Sequence, residues 1–342
     1  MKLSALTPST LALIAVVVLA TGCAAEAPEA SASGASTQDA STATSETGFP
    51  IMVTNCGREV TVESAPKRIL MVNNDAISLV ASLGALDRVV GLTSELLPDV
   101  YPEEYYTALS GAEQLRAEKN ATGGSVVTQE SILALQPDLV LAPDTSVDRD
   151  ALAEAGIPTY SPPAYCAEAD PALSGPASFD GVYHEVENYG KLLGEQDAAA
   201  TEIEKLKESV SGLADPTTDL GTAAALYVST TGVLSAYGAS SMISAQFEAA
   251  GLTNVYQDEA QRVFDISAED LLTRNPDTIV LLYSGSSASE TIAGFQSAPG
   301  VDALAAVKAD RVLVLPFPFT DPPTPMSIVG AEKLAAELAE LS

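Results

Sequence analysis

The stretch QESILALQPDLV, residues 129–140, decides the fold because the chain uses it twice. Residues 268–280 read AEDLLTRNPDTIV. Glu130, Ile132, Leu133, Pro137 and Asp138 recur 139 positions on as Glu269, Leu271, Leu272, Pro276 and Asp277. In each copy a glutamate precedes apolar residues at helical spacing, and a proline then stops the helix because it lacks an N–H and clashes with the preceding turn. An apolar run rich in β-branched residues follows. The unit reads as short helix, Pro-Asp turn, buried strand, and Thr128 is placed to cap the first helix.

Working outward, short apolar runs alternate with helical patterns. RILMV (68–72) and DRVVGLT (87–93) read as strands around the helix DAISLVASLG (75–84), which glycine closes. DLVLAP (138–143) and IPTYSP (157–162) flank the helix DRDALAEAG (148–156). A second series holds the strands AAALYVST (223–230), TIVLLYS (278–284) and RVLVLP (311–316), the helix SSMISAQFEAAG (240–251) and a closing helix at 327–341. Between the series, FDGVYHEVENYGKLLG (179–194) has Val182, Val186, Tyr189 and Leu193 on one helical face. A further helix at 197–213 is expected on the C-terminal lobe. Strands alternating with helices imply parallel sheets covered on both faces. The expected class is therefore α/β: two Rossmann-like lobes with mostly parallel central sheets, joined by a single linking α-helix.

The N-terminus has the pattern of a processing signal. Lys2 precedes LALIAVVVLA (11–20) and then TGC. The apolar run is too short to span a bilayer, and it ends at small residues. This is the order of a bacterial lipoprotein signal cut before Cys23, with Cys23 acylated, although Ala20 stands where such signals usually carry leucine. Residues 24–48 are Ala, Ser, Thr and acidic residues that have no core to join. The expected organisation is a signal at 1–22, a disordered tether at 23–48, an N-terminal lobe at 49–177, a linking helix at 178–195 and a C-terminal lobe at 196–342.

A net charge of -30 with only 16 Lys plus Arg excludes nucleic acid as a partner. With Cys23 set aside, Cys56 and Cys166 remain, and two thiols in an exported chain point to one disulfide. A metal site is the weaker alternative, since the one histidine, His184, is the only other soft ligand and no C-x-x-C spacing occurs.

Several segments in order resemble the class III substrate-binding proteins of ABC importers, which receive iron-siderophores, haem and cobalamin. They are GREVTVESAPKRILMVNNDAISLVASLGALDRVVGLT, QESILALQPDLVLAP, GASSMISAQFEAAGLTNVY and ISAEDLLTRNPDTIVLLYS, and the similarity covers about residues 50–342. The resemblance implies that Glu130 and Glu269 dock on arginines of a two-subunit permease, a charge-assisted contact that suits a symmetric pair of carboxylates. It also implies a ligand held between the lobes, on loops that follow strands. In the first lobe those loops offer Asn73, Asn74, Ser94, Glu95, Ser125, Asp144, Thr145 and Tyr165. In the second they offer Thr230, Leu234, Tyr237, Arg262, Phe264, Tyr283, Phe317 and Phe319.

The expected cargo is a ferric siderophore or other metal chelate, with cobalamin, haem or another cofactor precursor as the alternatives. The protein itself needs no resident cofactor. Of the basic residues, only Arg116, Lys119, Arg149 and Arg262 lie near these loops, which suits a neutral or cationic complex as well as an anionic one. The partners implied are the ligand, the permease dimer with its ATPase subunits, and a membrane reached through the lipid anchor on its extracytoplasmic side, with the protein itself a monomer. A serine hydrolase would need His184 beside an activated serine, and no G-x-S-x-G elbow occurs. A zinc or manganese receptor would need several histidines. A purely structural lipoprotein would share the tether but not the paired glutamates.

Overall fold

The computed structural model describes residues 48–119, 125–167, 175–213, 219–228, 233–284 and 287–341. The processing signal, Cys23, most of the tether and Thr230 lie outside the described residues. Ser45–Ser342 form one compact unit, and no helix among the described residues is long and apolar enough to cross a membrane.

The first sheet has five strands, all parallel, in the order Glu113–Gln114, Val89–Leu92, Ile69–Met71, Leu139–Leu141 and Thr159–Tyr160. Its central residues Ile69, Leu70, Met71, Leu139, Val140 and Leu141 are all buried, as expected for a parallel sheet covered on both faces. An antiparallel hairpin of Ile51–Asn55 and Arg58–Val62 precedes it. The second sheet is mixed. Thr222–Val228, Thr278–Tyr283 and Val312–Pro316 are parallel, while Leu234–Tyr237 runs antiparallel between Thr222–Val228 and Val263–Ile266. That antiparallel strand breaks the otherwise parallel winding of the second lobe. Its four residues, LSAY, are too few for their pattern alone to separate them from the loop around them.

The repeated unit is a structural repeat. Gln129–Leu135 and Ala268–Arg274 are both seven-residue helices whose N-cap hydroxyls, on Thr128 and Ser267, accept the N–H groups of Ser131 and Asp270. Both end on a residue in the left-handed region, Gln136 and Asn275. The aspartate after each proline then ties its strand to the neighbouring one. Asp138 accepts from the N–H groups of Lys67 and Arg68 at 2.8 Å each. Asp277 accepts from the N–H of Thr222 at 2.9 Å and from its hydroxyl at 2.7 Å. These bonds hold the Asp277 carboxyl below its usual range, the backbone N–H contributing most.

Helix Phe179–Leu193 links the two sheets, closed by Gly194 in the left-handed region, and buries Val182, Val186, Tyr189 and Leu193 as its spacing predicts. The next helix, Gln196–Ser211, departs from expectation. It lies along the linking helix and touches both Ile77–Ser82 of the first lobe and the closing helix Pro325–Glu340, rather than belonging to the C-terminal lobe alone. The reason is in its apolar face: Ala199 and Leu206 join a core that contains Leu79 and Leu83 as well as Met242, Phe319, Met326 and Ile328. One apolar core therefore runs through the first lobe, the connector and the near edge of the second.

Cys56 and Cys166 are bonded, with Cα atoms 5.2 Å apart and a sequence separation of 110. The disulfide fastens the tip of the first hairpin to the loop after the last strand of the first sheet. That loop carries Tyr165.

Candidate functional site

The lobes meet along a seam of polar side chains. From the first lobe, the loop after strand Ile69–Met71 presents Asn74 and Asp75, and the turn Pro163–Tyr165 presents Tyr165. From the second, Arg262 leads into strand Val263–Ile266, and Asp321 follows the turn Phe317–Phe319. The Tyr165 hydroxyl donates to Asp75 Oδ1 at 3.4 Å. The Arg262 guanidinium lies over the Tyr165 ring, 5.1 Å from its centroid, and pairs with Asp321. A cation over an aromatic face is favourable, more so away from water. First lobe and second lobe thus touch through one chain of contacts, Asp75 to Tyr165 to Arg262 to Asp321.

Burial dominates the electrostatics of this chain. It lifts the Asp75 carboxyl to about 6 against hydrogen bonds from Asn73 and Tyr165 and the charge of Arg262, which act the other way. Burial also raises the Asp321 carboxyl, although Arg262 counters it. For Arg262 burial opposes the charge, but Asp321, Tyr165 and Tyr237 outweigh it, so the guanidinium stays charged. The hydroxyls of Tyr165 and Tyr237 are pushed up, chiefly by burial, and stay protonated.

Among the described residues, three acceptor atoms in this region are buried with no hydrogen-bond partner: Asn74 Oδ1, Asp75 Oδ2 and Asp321 Oδ1. Asp321 is only 1% exposed. A buried polar oxygen without a partner costs on the order of 1–3 kcal/mol, more when charged.

Asp75 gives a pH test with a definite sign. Its carboxyl titrates near 3.8 in a free chain and near 6 in the fold, so the native state binds the extra proton between these values. Stability from this group is therefore full at low pH, falls as pH rises through that window and is lost above it, by at most about 3 kcal/mol. Asp75→Asn should raise the melting midpoint at pH 8 and leave it nearly unchanged at pH 3.5. An equal gain at both values would show that the carboxyl is not strained by burial.

The structure separates the strand-end residues named from sequence. Tyr165, Arg262 and Tyr237 join the seam, and Asn73 and Asn74 adjoin it. Asn73 N–H donates to the Thr93 hydroxyl at 2.8 Å, and Asn74 Nδ2 donates to the Glu95 carbonyl at 2.8 Å, next to half-buried Ser94. Phe319 is buried in the core that joins the lobes, and Phe317 packs with Tyr237 in the second lobe. Asp144 is engaged elsewhere. It pairs with buried Arg149 at 2.7 Å and accepts the Ala167 N–H at 3.1 Å, while Arg149 also holds Asn55 Oδ1 and the Thr159 carbonyl. Thr145 beside it is exposed and Ser125 is fully buried. Leu234 and Phe264 lie on the opposite face of the second sheet, where Phe264 meets Tyr256 edge-on at 5.6 Å between centroids. Tyr283 ends its strand half-buried at the same end of the sheet as Leu234. Glu130 and Glu269 are exposed in the first turns of matching helices.

Sequence reading did not single out Asp75 or Asp321. The signal was present, since NND (73–75) and TDPP (320–323) each lie in the loop after a strand, beside residues that were chosen.

The comparisons with known proteins agree with this architecture. The family model described as periplasmic binding protein matches residues 69–318. The chain belongs to that family, as a substrate-binding protein of class III. A cobalamin-binding protein of Halobacterium salinarum is 29% identical over 282 residues, covering 80% of this chain and 68% of that protein. A crystal structure of an ABC-type Fe3+-hydroxamate transport system from Saccharomonospora viridis superposes with a TM-score of 0.77 at 36% identity, over 85% of this chain and 99% of that one. The vitamin B12 binding protein BtuF of Vibrio cholerae, at 18% identity and a TM-score of 0.55 over 81% of this chain and 98% of that one, shares the fold.

Proposed function

We propose that this chain is the extracytoplasmic, lipid-anchored substrate-binding subunit of an ABC importer, a carrier and not an enzyme. It captures a ferric hydroxamate-type chelate between lobes 49–177 and 196–342, joined by the helix at 178–195, and hands it to a permease. The observation that carries this reading is the seam itself: two α/β lobes face each other through polar side chains on Asp75, Tyr165, Arg262 and Asp321. The Saccharomonospora relative supports the hydroxamate class. The Halobacterium relative favours cobalamin as the second reading. The anchor would be acylated Cys23, and the functional unit a monomer. The apolar core shared by both lobes makes closure small, because a large hinge motion would have to expose it.

The test is a thermal-shift panel of ferrioxamine B, cyanocobalamin and haem. A ligand at about 100 times its Kd adds roughly 2.7 kcal/mol, which for a domain of this size raises the midpoint by about 5–10 °C. A dose-dependent rise with one chelate supports capture, and no rise with any would contradict it.

Docking has its own test. Glu130→Ala with Glu269→Ala should leave ligand affinity within about twofold while lowering uptake by reconstituted transporter at least tenfold, because each lost pair is a charge-assisted contact. Weakened ligand binding with docking intact would instead move these residues into the ligand site.

A further inference from the structure

We infer that the seam is built to receive hydrogen-bond donors or positive charge from the cargo, so that Asp75 and Asp321 accept from the ligand and Arg262 is not an anion receptor. This rests on the capture reading above and narrows it to a ligand class. Four observations lead to it. Asp321 is 1% exposed; Oδ2 holds Arg262 and the Met242 N–H also favours the carboxylate, while among the described residues Oδ1 has no partner within hydrogen-bond distance. Asp75 takes hydrogen bonds from Asn73 and, on Oδ1, from Tyr165, and among the described residues its buried Oδ2 has no partner within hydrogen-bond distance. Asn74 turns its Nδ2 to the Glu95 carbonyl, leaving Oδ1 as a third buried acceptor. Finally, the cation at the seam is engaged, Arg262 by Asp321 and the Tyr165 ring, and away from the seam Arg149 is held by Asp144, Asn55 and Thr159.

The chemistry that satisfies these atoms is a ligand edge with ammonium or amide N–H groups. An anionic chelate would bring charge against two carboxylates, and the guanidinium at the seam, Arg262, is already engaged. Buried acceptors discriminate strongly, since a site made to receive donors rejects a ligand that lacks them.

The test is calorimetric titration of the full chain with three probes: ferrioxamine B, which carries a protonated amine; cyanocobalamin, which is uncharged and edged with amides; and an anionic ferric tricatecholate. The parent should bind one of the first two at least tenfold more tightly than the tricatecholate. Asp75→Asn and Asp321→Asn should each weaken that binding about tenfold or more. Asp75→Asn removes no ion pair, so its melting midpoint serves as the check that the fold is kept even where Asp321→Asn is destabilised. Preference for the tricatecholate, or parental affinity in both variants, overturns the inference while leaving the capture function standing. No binding of any probe by folded chain overturns both.

Discussion

Alanine at Gly330 should lower the melting midpoint by roughly 10 °C, the cost of about 3 kcal/mol or more. Gly330 lies in the closing helix Pro325–Glu340, where a Cβ would sit 1.7 Å from the Phe319 carbonyl oxygen and 3.0 Å from Gln246 Nε2. No side-chain rotation relieves an overlap with backbone, so either the helix or the turn Phe317–Phe319 must move. That turn is held in place, because Gln246 donates to the Phe319 carbonyl at 2.7 Å and also to the Ser327 carbonyl. Asp321 follows two residues later, so the displacement would reach the seam. Ligand affinity should therefore fall together with the midpoint. A midpoint within 2 °C of the parent would show that the helix does not approach so closely.

Replacing Cys56 by Ser should cost about 3–5 kcal/mol, again roughly 10 °C, because the disulfide closes a loop of 110 residues. Most of that effect belongs to the unfolded chain, which regains the freedom of the opened loop. There is also a local consequence. Cys166 is the neighbour of Tyr165; the turn that carries Tyr165 is closed by Tyr165 N–H to the Pro162 carbonyl at 2.8 Å, and Asp144 N–H in the loop after strand Leu139–Leu141 donates to the Tyr165 carbonyl at 3.2 Å. Without the bridge, that turn keeps its backbone bonds but loses its fastening to the first hairpin. Thermal melts of Cys56→Ser and of reduced parent protein should agree. A midpoint unaffected by either would contradict stabilisation by closure of this loop.

Much of the fold was legible in the sequence because its repeat is chemical as well as numerical. The hydroxyl before each helix caps it, the proline ends it, and the aspartate after the proline fastens the new strand to its neighbour, at both Asp138 and Asp277. Local rules and tertiary contacts coincide there, so periodicity alone recovered helix, turn and strand. The linking helix was equally readable from Val182, Val186, Tyr189 and Leu193. The placement of Gln196–Ser211 was not, because an amphipathic pattern states that a face is buried without saying against what.

The seam was half legible. Residues after strands are easily named, and Tyr165 and Arg262 were among them, but which of them meet depends on the packing of one lobe on the other. Leu234 and Tyr237 show the difficulty: they are three residues apart on one short strand and point to opposite faces. Asp144 shows another, since a strand-end carboxylate looks alike in sequence whether it faces a ligand or, as here, a buried arginine.

The most direct test of the central claim is hydrogen exchange of the chain with and without the chelate that raises its midpoint. Binding between the lobes predicts slowed exchange at residues 73–77, 163–166, 261–264 and 317–322 together, from both lobes at once, with residues 129–135 and 268–274 unchanged because their faces await the permease. Protection confined to one lobe, or centred on the helices that bear Glu130 and Glu269, would contradict capture in the seam.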